Sequence, residues 1–132
     1  MAVVGRSDLV GKPLSLLLDR ENCTVTLCHS STHNLQGILQ NSDIVISCIG
    51  IPHFIKGDWL AQNSTVIDVG INYVALASGG TKLVGDVDFE SASEKCAYLT
   101  PVPGGVGPMT VAMLMRNIVK GWVQQNDLNV LQ

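Results

Sequence analysis

Short apolar runs alternate with stretches of helical spacing along this chain. Ala2-Val3-Val4 reads as a strand, and a glycine turn follows it. Residues 13–19 read as a helix, with Lys12-Pro13 in its first turn, where a residue without an N–H is tolerated. The β-branched run TVTLC (24–28) predicts a second strand and residues 34–40 a short helix. DIVISCI (43–49) and TVIDV (65–69) predict two further strands. Residues 77–82, with Ser78-Gly79-Gly80 at their centre, read as a loop, Leu83-Val84 as a short strand, and residues 88–93 as a helix capped near Asp88. Tyr98-Leu99-Thr100 leads into a loop rich in proline and glycine, and a last helix covers about 109–122. In that helix Val111, Met113, Leu114, Met115, Ile118, Val119 and Trp122 form more than one apolar stripe. Such a width predicts burial on two sides, one against the sheet and one against another domain or subunit. Strands that are apolar throughout and separated by helices belong to parallel sheets covered on both faces. The fold expected is α/β, a mostly parallel, doubly wound sheet in three layers.

The totals narrow the picture. The 132 residues fit one domain, placed at 1–123, with a polar tail over 124–132. Net charge is −3 and no run of Lys or Arg occurs, which argues against a nucleic-acid surface. The charged fraction of 14% against 46% hydrophobic predicts apolar surface that something else covers. No apolar run is long enough to span a bilayer, so no membrane partner is expected. The first residues carry no basic or long apolar leader, and the chain opens almost directly on a strand, which reads as a truncated or dissected protein. Cys23, Cys28, Cys48 and Cys96 form no C-x-x-C pair and are expected to be buried free thiols in a reducing compartment. No His, Cys and Asp residues stand at ligand spacing, so no metal is expected.

Three segments carry candidate chemistry. In VVGRSDLVGKP (3–13), a glycine turn between strand and helix aims backbone N–H groups at a phosphate. It departs from G-x-G-x-x-G, with Gly5, then Ser7, then Gly11. Ser7 can donate a hydroxyl to a pyrophosphate, although a Gly and Ser turn before a helix more often only makes the turn. At the end of the second strand, where NAD-binding Rossmann domains place an acid for the ribose 2′-hydroxyl, this chain has His29 and Ser30. Arg6 is placed to reach the same ribose. Hydroxyl and cationic groups without a carboxylate favour a 2′-phosphate, hence NADP over NAD. The third segment, TPVPGGVGPMT (100–110), combines stiffness with close approach, and its mix is seldom needed by a purely structural loop. Thr110 is placed to cap the following helix or to bind a ligand.

Together these segments resemble the methylenetetrahydrofolate dehydrogenase/cyclohydrolase family. The resemblance runs through VVGRSDLVGKP (3–13), TVTLCHSST (24–32), DIVISCIG (43–50), VIDVGIN (66–72), LVGDVDFE (83–90) and TPVPGGVGPMTVAML (100–114), collinear over nearly the whole chain. It implies a Rossmann-like NADP-binding domain of a bifunctional enzyme of one-carbon metabolism and purine biosynthesis. Such enzymes oxidise 5,10-methylenetetrahydrofolate with NADP or NAD and hydrolyse the methenyl product. It implies that Arg6 and Ser30 hold the 2′-phosphate, with His29 beside them, and that Gly5 and Ser7 hold the pyrophosphate. Gly50 and Ile51 then pass beside the cofactor, Val69, Gly70 and Ile71 lie near the nicotinamide, and Gly107 and Thr110 close over that end. Pro103, Gly104, Gly105 and Val106 border the folate cleft. The resemblance also implies a homodimer and a catalytic N-terminal domain that these residues do not contain, so the folate is shared with a part outside this sequence.

The residues present offer no convergent acid–base pair, and no catalytic residue is expected among them. Asp68 and Asp86 read as acceptors for neighbouring backbone amides. His29, His33 and His53 fall in loops. The fragment is expected to bind NADP without turnover. The alternative left open is a non-catalytic interaction or regulatory module on a dinucleotide fold. The compartment expected is the cytoplasm, with the mitochondrial matrix as the other choice.

Overall fold

The computed structural model describes residues 1–126. Residues 127–132, which carry most of the expected tail, lie outside the described residues. Five strands form one parallel sheet: β1 (Ala2–Val4), β2 (Thr26–Cys28), β3 (Ile44–Ser47), β4 (Thr65–Asp68) and β7 (Tyr98–Leu99). Their spatial order is β2-β1-β3-β4-β7. The doubly wound α/β expectation holds.

The apolar strands bury both faces, as parallel strands must. Ala2, Val4, Cys28, Val45 and Val66 point to one face. There they meet Leu35, Ile38 and Leu39 of α2 (Leu35–Gln40), Trp59 and Leu60 beside the 3-10 turn Gly57–Trp59, and Ala92 of α3 (Phe89–Ser93). Val3 and Ile46 alternate to the other face and are also buried. Helix α1 (Gly11–Arg20) packs on β1 and β2 and contributes nothing to the first cluster. Each buried side chain of Val or Leu size stabilises the fold by about 1.5–3 kcal/mol, so three-residue strands suffice when all three positions are covered.

Helix α1 starts two residues before Pro13, which therefore stands in the first turn, where no intrahelical N–H is lost. Helix α2 is capped by Asn34, whose side chain accepts from the Gly37 amide (3.3 Å). Asp88 occupies the N-cap position of α3 but does not cap it with its side chain. Its carboxylate turns instead to the Lys56 ammonium at 3.2 Å.

Three elements differ from expectation. A two-stranded antiparallel hairpin, β5 (Asn72–Ala75) with β6 (Thr81–Val84), stands apart from the main sheet. Thr81 and Lys82, read as loop, belong to β6, and Gly79 and Gly80 (φ 87° and 89°) make only its turn. The polar residues that flank the glycines conceal the period-2 pattern. Helix α4 begins at Val106 and runs to Gln125, so half of the expected loop is its first turn. None of its residues is buried, and it packs extensively against neither the sheet nor any other described element. Met109, Val111, Leu114, Met115, Ile118 and Trp122 are all more than half exposed. The chain leaves β7, a two-residue edge strand, through the loop 100–105 and leads the helix away from the sheet. Of the four thiols, all free, only Cys28 is buried and the other three are half-buried.

Candidate functional site

All five sheet strands run one way, so their carboxyl ends share an edge, and the order reverses between β1 and β3. In open α/β sheets that reversal opens a crevice where ligands bind. The residues expected to meet the cofactor or the folate leave the sheet along this edge. Gly5, Arg6 and Ser7 follow β1, and His29 and Ser30 follow β2. Gly50 and Ile51 follow β3, Val69, Gly70 and Ile71 follow β4, and residues 103–110 follow β7.

The turn after β1 is shaped by contact. Gly5 adopts φ 122°, and its amide donates to the Cys28 carbonyl at 2.9 Å. A β-carbon on Gly5 would overlap Cys48, and one on Gly11 would overlap the Gly5 carbonyl. The two glycines let the turn, the start of α1 and the end of β3 close on one another. Ser7 Oγ accepts from the amides of Val10 (3.2 Å) and Gly11 (3.4 Å), which satisfies donors at the start of α1. Its own hydroxyl hydrogen is then free to donate outward. The structural and ligand-binding readings of Ser7 are therefore compatible. Arg6 is exposed. Asp8, the carboxylate of this turn, is held below its usual value by a hydrogen bond and the charge of Lys12, at 2.6 Å.

Residues 29–32 close a tight turn beside it. The His29 amide donates to Thr32 Oγ1 (2.8 Å), and the Thr32 amide returns a bond to the His29 carbonyl (2.8 Å). The Ser31 amide donates to His29 Nδ1 (3.2 Å), so in the neutral ring the hydrogen is assigned to Nε2. Ser30 is exposed at the tip. Thr32 organises this corner and was not singled out in the sequence. Its signal was a hydroxyl four residues after a strand end.

On the other flank two buried aspartates interlock. Asp68, at the end of β4, accepts from the amides of Gly70 (2.8 Å), Asp86 (3.0 Å) and Val87 (2.8 Å). Asp86, just beyond β6, accepts from Ser47 Oγ (3.0 Å) and from the amides of Ile49 (2.8 Å) and Gly50 (3.3 Å) on one oxygen. Its other oxygen takes the Ile51 amide (3.1 Å) and Asn72 Nδ2 (2.9 Å). A β-carbon on Gly85 would overlap the Asp68 carboxylate, and one on Gly70 the Asp86 carboxylate. Each acid thus packs on a glycine beside the other. Burial pushes the Asp68 carboxyl above its ordinary value, the three amides pull it back in part, and the Asp86 charge adds to the rise. Both acids are amide acceptors, as their sequence context implied. Ser47 and Asn72 were missed, because a single polar residue in or beside an apolar strand has no distinctive signature.

The aspartate flank borders a cleft of about 260 Å³, with Asp68, Val69, Gly70, Ile71 and Leu83 on one wall and residues 101–108 and Thr110 on the other. Gly107 and Thr110 belong to the first turns of α4, not to a loop. Thr110 does not cap that helix, because the N-cap is Gly105 and Thr110 Oγ1 donates back to the Val106 carbonyl at 3.0 Å. A larger hollow of about 580 Å³ lies beside it around His53, Lys56, Lys82 and Asp88. It shares only Pro101 and Val102 with the cleft, and neither touches the turn after β1. Burial raises the thiols of Cys28, Cys48 and Cys96, for Cys48 with the Asp86 charge adding to it, so none is an activated nucleophile.

Fold and site together define a dinucleotide-binding α/β domain. The family model described as "Tetrahydrofolate dehydrogenase/cyclohydrolase, NAD(P)-binding domain" matches residues 1–126, and the chain belongs to that family. It is 57% identical over 115 residues to the bifunctional protein FolD of Paramagnetospirillum magneticum, which covers 87% of this chain and 39% of that one. It is 53% identical over 124 residues to the cytoplasmic C-1-tetrahydrofolate synthase of Schizosaccharomyces pombe, covering 92% of this chain and 13% of the synthase. The Trypanosoma brucei N5,N10-methylenetetrahydrofolate dehydrogenase-cyclohydrolase, solved with NADP cofactor and an inhibitor, superposes with a TM-score of 0.84 at 47% identity, over 89% of this chain and 41% of that one. The chain spans well under half the length of these relatives. Synthases of the same name include both cytoplasmic and mitochondrial forms. No described helix is long and apolar enough to cross a membrane.

Proposed function

We propose that residues 1–123 are the cofactor-holding half of an NADP-dependent 5,10-methylenetetrahydrofolate dehydrogenase and 5,10-methenyltetrahydrofolate cyclohydrolase, with 124–132 as a tail. The observation that carries this reading is the alignment of five ligand-facing segments along one sheet edge. The order of strands assigns the subsites. Arg6, His29 and Ser30, beside β2, take the adenosine 2′-phosphate. Gly5 and Ser7, after β1, take the pyrophosphate on backbone amides and one free hydroxyl. Gly50, Ile51, Val69, Gly70 and Ile71, after β3 and β4, flank the nicotinamide half, with Gly107 and Thr110 across the cleft. Pro103, Gly104, Gly105 and Val106 form the folate-facing wall. The crowding around Gly5 and Gly11 fits a pyrophosphate seat, because it brings strand, helix and turn within reach of one anion.

The dinucleotide, when bound, supplies the hydride acceptor. These residues contribute position, which sets most of the rate of hydride transfer. None of them offers the acid–base group that hydrolysis of the methenyl bridge needs. By itself the chain binds NADP and does not turn over folate. The exposed apolar surface of α4 supports a fold completed by further chain or by a second copy, and we include a homodimer in the proposal. The proposed compartment is the cytoplasm, where free thiols persist, and the proposed role is one-carbon supply, purine synthesis included.

Calorimetric titration with NADP and with NAD tests the reading. NADP binding with NAD at least about tenfold weaker is expected from a charge-assisted contact to one phosphate. Equal indifference to both overturns it. Turnover of methylenetetrahydrofolate by the isolated chain overturns the claim of inactivity, and a clean monomer in light scattering at high concentration overturns the dimer.

A further inference from the structure

Asp86 is fully buried, and no cation stands among its partners. Its five donors come from three separate places: the end of β3, the loop after it, and the hairpin. Three of them are the successive amides of Ile49, Gly50 and Ile51, so the loop wraps its N–H groups around one carboxylate. Successive amides turned to one centre make an anion nest, and here the anion is the protein's own. Gly50 has φ 71°, and open space lies where its β-carbon would be. The segment after β4 packs on the same group through Gly70, and Asn72 ties the hairpin to it.

We infer that Asp86 is a positioning residue for the nicotinamide half of the dinucleotide, setting the two crevice segments 49–51 and 69–72 against each other. The inference rests on the proposed cofactor reading and adds a residue that touches no cofactor itself. The carboxylate matters because both of its oxygens accept. An asparagine of the same shape presents an NH₂ to either the Ile49 and Gly50 amides or the Ile51 amide and Asn72, and two donors then face each other. The loop must shift, while the β1 turn and the 29–32 corner, which share no bond with Asp86, stay as they are.

The test compares two probes on the intact chain. NADPH spans the whole crevice, whereas 2′,5′-ADP fills only the adenosine corner. Asp86→Asn is expected to weaken NADPH at least about tenfold, the effect of one lost contact of ordinary strength, and to leave 2′,5′-ADP within about twofold. Amide exchange at Gly50 and Ile51 quickens in the same variant. Adding Asn72→Asp restores an acceptor opposite the new NH₂ and recovers part of the NADPH affinity. If Asp86→Asn does not fold, Asn72→Ala removes a single donor and carries the same comparison with a smaller loss. Parallel weakening of both probes, or unchanged NADPH affinity, overturns the inference while a parent chain that binds NADPH keeps the cofactor reading. A parent that binds neither probe overturns both.

Discussion

The two flanks of the crevice use polar groups in opposite ways. Around β3, β4 and β6 the polar groups are buried and saturated: Asp68 and Asp86 take eight hydrogen bonds between them, and no buried side-chain nitrogen or oxygen among the described residues lacks a partner. Around β1 and β2 the groups are exposed, and donors are left over: the Arg6 guanidinium, the Ser7 hydroxyl hydrogen and Ser30. A saturated network in a low-dielectric interior fixes geometry, and leaving it half-satisfied is costly. A surface with spare donors has binding capacity to offer. On the proposed reading, one flank holds shape and the other grips an anion, and a cofactor that must be held firmly and aimed needs both.

Gly85→Ala breaks the first flank most severely. The added methyl has no place beside the Asp68 carboxylate, so a stability loss of about 2–4 kcal/mol is expected, from overpacking and from disturbed amide bonds. Urea unfolding measures it, and a loss under about 1 kcal/mol would show that the interlock yields easily. On the second flank, Arg6→Ala with Ser30→Ala removes the two donors proposed to hold the 2′-phosphate. NADP affinity is expected to fall by about 2 kcal/mol or more, with NAD affinity and the urea midpoint nearly unchanged. Equal losses for both nucleotides would move the phosphate-binding corner elsewhere.

Ser7→Ala touches both roles at once and sharpens the contrast. About 1 kcal/mol of stability is expected to go with the two amides it satisfies at the start of α1, together with a loss of nucleotide affinity. A stability loss with unchanged affinity would leave Ser7 only its turn-making role. The gentlest effect is a slope with pH. The Asp68 carboxyl is raised in the folded chain, so the folded state binds the proton more tightly than the unfolded one. Stability from this group is greatest below its ordinary value of 3.8 and is lost as pH rises through the raised value. The stability of the parent minus that of Asp68→Asn should therefore decline with rising pH over that window, by thermal melts. A difference that is flat or rises with pH would contradict the burial that lifts this group.

Much of this was legible in the chain. DIVISCI and TVIDV announced parallel strands, because continuous apolar runs suit a sheet covered twice. Gly5, Ser7 and Gly11 announced a tight turn from strand to helix, and the close approaches at both glycines bear out the turn. The hairpin was not legible, because Tyr73, Thr81 and Lys82 lie on the surface, Asn72 is polar though buried, and no apolar alternation marks either strand. Thr32, Ser47 and Asn72 were silent for another reason: each acts on a partner distant in space or through a local turn that composition does not reveal.

Local pattern thus determined the strands of the parallel sheet, the helices between them, and which residue types stand at those strand ends, since these depend on neighbours within a few positions. Only the tertiary structure decided that Asp86, 37 residues after Ile49, would close a loop around itself, and that α4 would stand free with its apolar side chains uncovered. Those outcomes depend on which surfaces meet when the sheet assembles, and spacing along the chain carries no record of that meeting.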